Sequence, residues 1–172
     1  MVLKKICYKK YLKKIGVNLE GNVNFIDKTT HFGSEPYLVT ICDNVTISNN
    51  VQFITHDGGT RVFRTEERYK KVIKFGRIFV DKNTFIGART IVMPNVKIGK
   101  NVVIAAGSVV TKSVPDNVVV GGNPAKIICS LEDYKEKCLK DCPEYNRNNF
   151  LSNKKDEVLK ICYAQEFKEE LK

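Results

Sequence analysis

The chain has two histidines in 172 residues, His31 and His56, so its candidate proton acceptors near neutral pH are quickly named. His56 lies in the segment Phe53-Ile54-Thr55-His56-Asp57-Gly58-Gly59. A neutral imidazole here can act as a general base and take a proton from an attacking nucleophile, an effect on the order of a hundred- to ten-thousandfold. The second ring nitrogen then needs an acceptor to fix the tautomer, and Asp57 and Glu35 are the nearest proposals. A zinc centre of three histidines is out of reach with only His31 and His56 in the chain. Six cysteines, Cys7, Cys42, Cys129, Cys138, Cys142 and Cys162, lack the two close pairs of a structural zinc site and are expected as reduced thiols. No metal is expected.

Cations form the second group. The net charge of +10 is uneven: residues 1–14 carry six lysines and no acid, residues 15–130 are +5, and residues 131–172 are −1. Residues 60–77 alone hold Arg61, Arg64, Arg68, Lys70, Lys71, Lys74 and Arg77 against Glu66 and Glu67. Charge confined to one terminus and one short segment argues against a nucleic-acid-binding surface. In the N-terminal segment Leu3, Ile6, Cys7, Tyr11, Leu12 and Ile15 recur at helical spacing among the lysines. This predicts a basic amphipathic helix that caps a core, with peripheral contact of residues 1–15 to an anionic membrane face as the alternative use. No apolar run reaches spanning length, so a cytoplasmic protein is expected.

These groups need a scaffold, and the spacing of the aliphatic residues supplies one. Val80, Ile86, Val92, Ile98, Ile104 and Val110 recur at every sixth position without a miss. A helix repeats at about 3.6 residues and a half-buried strand at about 2, so a period of six means a short strand, a turn, and a return to the same interior line. The fourth residue after each anchor, Thr84, Thr90, Val96, Val102, Ser108 and Val114, suits a second inward position. Turns fall at Lys82-Asn83, Ala88-Arg89, Pro94-Asn95, Lys100-Asn101 and Ala106-Gly107. Three hexapeptides close one triangular coil. The same register runs upstream through Ile41, Ile47 and Phe53, and more weakly through Leu19 and Phe25. The step from Phe53 to Val80 is not a multiple of six, so residues 58–77 are read as an inserted loop. His56 opens that loop at an outward turn position. Glu35 precedes Phe53 by three hexapeptides, one full coil, and is expected directly beneath that anchor.

The motifs Ile86-Gly87, Ile98-Gly99, Ala105-Ala106-Gly107-Ser108-Val109-Val110-Thr111-Lys112 and Gly121-Gly122-Asn123-Pro124-Ala125-Lys126 resemble the hexapeptide-repeat acetyltransferases. The branch is that of polysaccharide and sugar O-acetyltransferases. The resemblance covers roughly residues 17–128 and implies an all-β solenoid, a left-handed parallel β-helix, with terminal α-helices. It implies His56 as general base in direct transfer from acetyl-CoA to a saccharide acceptor, with Asp57 or Glu35 as its partner. Coenzyme A is then expected along Gly87, Ala105, Ala106, Ser108, Thr111, Lys112, Pro124 and Lys126, in a groove closed by a neighbouring subunit of a homotrimer. His31-Phe32-Gly33-Ser34-Glu35-Pro36-Tyr37-Leu38 also resembles a stretch of polysaccharide acetyltransferases, which makes Ser34 an acceptor-site candidate. In the basic loop Arg61 and Arg64 suit an anionic or nucleotide-linked saccharide and Tyr69 a sugar face, without excluding a neutral sugar.

The predicted organisation is a basic cap at 1–16, the β-helix at 17–128 and a helical extension at 129–172. In the extension Ser130-Leu131-Glu132-Asp133 predicts a helix start, and a second helix is expected over about 153–171, with Val158, Leu159, Cys162, Tyr163 and Phe167 on one stripe. Transfer to an amino sugar or an antibiotic requires the same base and cofactor. A trimeric scaffold or sugar-binding module without catalysis is the alternative from a different class.

Overall fold

The computed structural model describes residues 2–164, with side chains from Tyr8 onward. Met1–Tyr134 and Lys135–Lys172 form two compact units. In the first, short strands numbered along the chain build three sheets, parallel except for the last strand of one of them. One sheet contains β1 (Asn18–Leu19), β3 (Val39–Ile41), β6 (Ile78–Val80) and β9 (Lys97–Ile98). The next stacks β2 (Asn24–Phe25), β4 (Thr46–Ile47), β7 (Phe85–Ile86), β10 (Val103–Ile104) and β12 (Val118–Gly122). The third stacks β5 (Gln52–Phe53), β8 (Ile91–Val92) and β11 (Val109–Val110). The chain visits the sheets in rotation, which is the solenoid that the period of six requires.

The anchors and the valines at the second inward position share one buried core, and Thr84, Thr90 and Ser108 at the same position are buried with them. Each aliphatic side chain withdrawn from water contributes roughly 1.5–3 kcal/mol. Tight turns release the strands. Asn44, Asn50, Asn83, Arg89, Asn95 and Asn101 all take φ between 54° and 63°, the left-handed region that asparagine tolerates best after glycine. At the turns from first to second sheet the asparagines also form a ladder: Asn44 Nδ2 donates to Asn83 (2.9 Å), Asn83 to Asn101 (3.1 Å), and Asn101 to Asn117 (2.8 Å).

Successive coils differ in length. Ile91 pairs with Val109 and Phe85 with Val103, the register of three undisturbed hexapeptides. Gln52 pairs with Ile91, more than two such coils further along the chain, so an insertion longer than a whole coil lies between β5 and β6. In the first coil His31 bridges Gln52, three positions more than the regular register. Phe32, not Glu35, therefore stacks on Phe53, with ring centroids 5.1 Å apart. The expectation that Glu35 lies beneath Phe53 is corrected: the longer coil carries it past the anchor to Thr55 and His56. Val103 pairs with Val119, so the last coil is two positions short.

At the start, α1 (Val2–Lys14) lays Tyr8 and Leu12 into the core, and the Tyr8 hydroxyl donates to Thr30 O at 3.3 Å. Leu3, Ile6 and Cys7 lie outside the described side chains. At the far end, β13 (Ala125–Ser130) returns antiparallel on β12, a strand the hexapeptide pattern does not announce because it ends the repeat. Ser130 caps α2 (Leu131–Lys140) as its sequence predicts, accepting from Asp133 N at 3.0 Å.

In the second unit α3 (Arg147–Ser152), capped by Asn146, adds a helix that the sequence pattern does not predict. Next, α4 spans Lys154–Tyr163, and buried Glu157 accepts from Asn146 N at 2.7 Å. The expected stripe is mostly exposed at Leu159 and Tyr163, and Phe167 lies outside the described residues. No helix among those described is long and apolar enough to cross a membrane.

Candidate active site

The chain leaves the stack just after β5 and re-enters just before β6, and its two ends meet. Asp57 N donates to Lys74 O and Gly76 N to Thr55 O, each at 2.9 Å, while His56 and Phe75 pair as an antiparallel bridge. Gly76 has no room for a side chain, because a Cβ there would run into the backbone of Asn95 in the next coil. The insertion thus rejoins the stack at the turn that Asn95 forms in an uninterrupted coil.

Glu35 reaches this neck from the coil below. Gly33 makes the approach possible: its φ is +65°, and a Cβ would stand 2.9 Å from Thr55 Oγ1. One carboxylate oxygen, Glu35 Oε2, accepts from Thr55 Oγ1 at 2.6 Å and from His56 Nδ1 at 2.9 Å. The Thr55 hydroxyl, followed by the imidazole, holds the Glu35 carboxyl below the usual carboxylate range despite partial burial. An ionised carboxylate only accepts, so in neutral His56 the proton sits on Nδ1 and Nε2 carries the free lone pair. The side chains are 41% and 14% exposed for His56 and Glu35, which leaves the imidazole open to a reactant while its anchor stays shielded.

Asp57 is engaged differently. Its carboxylate takes Lys74 Nζ at 3.1 Å and Gly59 N at 3.0 Å, with Lys74 as the main cause of its lowered pKa. Of the two proposed partners, Glu35 is the one bonded to the imidazole.

A pocket of about 360 Å³ opens here, lined by Ser34, Glu35, His56, Asp57, Gly58, Arg61, Arg64, Lys74 and Phe75. The structure therefore brings Ser34, Arg61 and Arg64 to His56. Tyr69 does not line the pocket; it packs edge-on against Phe63 within the loop, with ring centroids 5.5 Å apart. Sequence reasoning missed Thr55, Lys74 and Phe75, whose ring lies 6.0 Å from that of His56. A signal existed: a solenoid that resumes its period must bring both ends of an insertion to one turn, so residues just before Gly76 belong beside His56.

The expected cofactor residues flank the third sheet. Gly87 stacks under Ala105 and Ala106, where a Cβ would lie 2.5 Å from Ala106 N, and a Cβ on Gly121 would lie 3.0 Å from that of Ala105. Lys126 pairs across β12 with Gly121, and Pro124 forms the hairpin turn. Thr111 and Lys112 follow β11 and are exposed, on the turn equivalent to the one that carries His56. Ser108 departs from expectation: it is fully buried, and its hydroxyl donates to Ala105 O at 2.6 Å. A residue at the second inward position cannot also present its side chain to a groove. Among the described residues no three His, Cys, Asp or Glu side chains come together as a metal site.

Comparison with known proteins agrees with this architecture. The family described as Bacterial transferase hexapeptide (six repeats) matches residues 78–112. Protein CapG of Staphylococcus aureus is 45% identical over 160 residues, 92% of this chain and 88% of CapG. A maltose O-acetyltransferase from Clostridium difficile 630 superposes with a TM-score of 0.55 at 26% identity, over 71% of this chain and 73% of that one. A galactoside acetyltransferase in complex with coenzyme A gives 0.52 at 25% identity, over 74% and 72%. The chain belongs to the hexapeptide-repeat acetyltransferases, in the branch of the sugar O-acetyltransferases.

Proposed function

We propose that the protein transfers an acetyl group from acetyl-CoA directly to a saccharide hydroxyl, with His56 as general base. The observation that carries this reading is the shared carboxylate oxygen of Glu35, which binds His56 Nδ1 and leaves Nε2 as the basic nitrogen. As the hydroxyl oxygen attacks the thioester carbon, Nε2 takes its proton and the imidazolium gains a stabilising anion in Glu35. The tetrahedral intermediate then expels the coenzyme A thiolate, and the imidazolium supplies the thiol proton. Because a thioester is already activated, no acyl-enzyme is needed.

The coenzyme would follow the turns on either side of the third sheet. Ala105 and Ala106 would admit the pantetheine arm, with Gly87 keeping their turn closely stacked, and Lys112 and Lys126 would meet phosphates near Thr111 and Pro124. The bound coenzyme A in the related galactoside acetyltransferase supports coenzyme A as the acyl carrier. We further infer a left-handed winding of the coils, a homotrimer whose neighbouring subunit closes the groove, and a cytoplasmic location.

The test is release of free thiol from acetyl-CoA across a panel of sugars and amino sugars, with intact-protein mass recorded during turnover. Acceptor-dependent release without an acetylated protein is the expected result. A stable mass increase of one acetyl group on the enzyme would overturn direct transfer, and failure to bind acetyl-CoA would return the chain to a scaffold role.

A further inference from the structure

The pocket beside His56 has an unbalanced charge. Each carboxylate in its wall is engaged: Glu35 by Thr55 and His56, Asp57 by Lys74 and Gly59. The two arginines are not neutralised in this way. Arg64 Nε donates to Val72 O and Nη2 to Thr60 Oγ1, each at 2.8 Å, so neutral acceptors fix the guanidinium while its positive charge stays uncompensated. Thr60 is buried, which makes this a built support. Among the described residues Arg64 Nη1 and the whole Arg61 side chain have no hydrogen-bond or ion-pair partner, although both residues line the pocket.

We propose that the acceptor is an anionic saccharide, whose acidic group is bound by Arg64 and Arg61 while a hydroxyl of the same molecule faces His56. This inference rests on the transferase reading and adds the class of acceptor. The arginine pre-oriented by the loop offers the paired N–H geometry that a carboxylate or phosphate accepts, and partial burial of its support strengthens that attraction. Two sources present this chemistry, the carboxylate of a uronic acid and the diphosphate of a nucleotide-linked sugar. Holding the guanidinium with a carbonyl and a hydroxyl, not a carboxylate, leaves its charge for the ligand. A purely architectural arginine makes no such demand and leaves no reason for Arg61 to stand beside it.

Ligand-observed NMR titration of the 172-residue chain tests the proposal with matched pairs: galactose against galacturonate, glucose against glucuronate, and each neutral sugar against its UDP-linked form. One anionic arm should bind about tenfold or more tighter than its neutral partner, as expected for one charge-assisted contact. The carboxylate and diphosphate arms tell the two sources apart. Arg61→Gln, which breaks no hydrogen bond or ion pair among the described residues, and Arg64→Gln should each remove most of that advantage. Equal binding within every pair, or an advantage that survives both substitutions, overturns the proposal. Thiol release from acetyl-CoA tests the transferase reading separately, and His56-dependent transfer to sugars with no anionic preference would sink only the acceptor assignment.

Discussion

The turns that follow β8 and β5 start alike and finish differently. After Val92 the chain takes Pro94 and Asn95, buries Val96, and reaches the next anchor, Ile98, at the regular step of six. After Phe53 it runs through Thr55 and His56, leaves for the insertion, and reaches Val80 only after re-entering at Gly76. The first turn is devoted to stacking: a left-handed asparagine and a buried valine serve only the coil. The second turn holds a buried hydroxyl at Thr55 and, in the place of Asn95, the imidazole of His56, both bound to one carboxylate from the coil below, while Ile78 fills the inward place of Val96 only after the insertion. Departure from the period is therefore where chemistry enters, and the undisturbed coils around it fix its geometry.

Excising residues 57–77 breaks that comparison most sharply. Removing this segment restores the regular step of six from Phe53 to Val80, with Ile78 at the second inward position. The variant should keep a cooperative β-rich unfolding transition but lose measurable acetyl transfer, since the pocket wall and the Asp57–Lys74 neck go with the loop. Circular dichroism melting beside thiol release checks both halves; a chain that fails to fold would show that the insertion also holds the stack together.

The reverse test removes an anchor. Ile98→Ala should destabilise by about 2–5 kcal/mol in denaturant titration, because a well-packed coil cannot collapse around the cavity. Glu35→Gln should lower kcat/KM by about ten- to a hundredfold, through loss of a charge-assisted bond to the imidazole. It also gives a stability signature. The folded carboxyl is held below its unfolded value, so the unfolded chain binds protons first as pH drops. The wild-type advantage over Glu35→Gln should be full above the ordinary carboxylate range and disappear as pH falls through the lowered folded value. A melting-temperature difference that stays constant with pH would contradict this. The smallest effect belongs to the stack: Asn83→Ala should cost about 1–3 kcal/mol, from an alanine at φ 56° and a broken ladder, with activity per folded molecule unchanged.

The solenoid is readable in the sequence because one side chain in six must be aliphatic, and Val80 to Val110 never depart from that rule. His56 is readable too, since it falls at an outward turn and opens the break in phase. Its partner is narrowed by sequence only to Asp57 or Glu35. Choosing between them requires the register of the first coil, and the weak repeat around Leu19 and Phe25 does not reveal that this coil is longer than three hexapeptides. The return strand β13 is hidden for a different reason: an antiparallel strand that ends a stack has no period to obey. Ser108 shows the opposite error, in which a familiar motif outweighs the inward position that the spacing already assigns.

The central claim is that the imidazole at the insertion, held through Nδ1, removes the acceptor's proton. Its most direct test is the rate of acceptor-dependent thiol release from acetyl-CoA by His56→Ala beside wild type, with melting temperature measured on the same samples. The account predicts a fall in kcat on the order of a hundred- to ten-thousandfold with thermal stability nearly unchanged. Turnover within about twofold of wild type, in a protein that still binds acetyl-CoA, would contradict it.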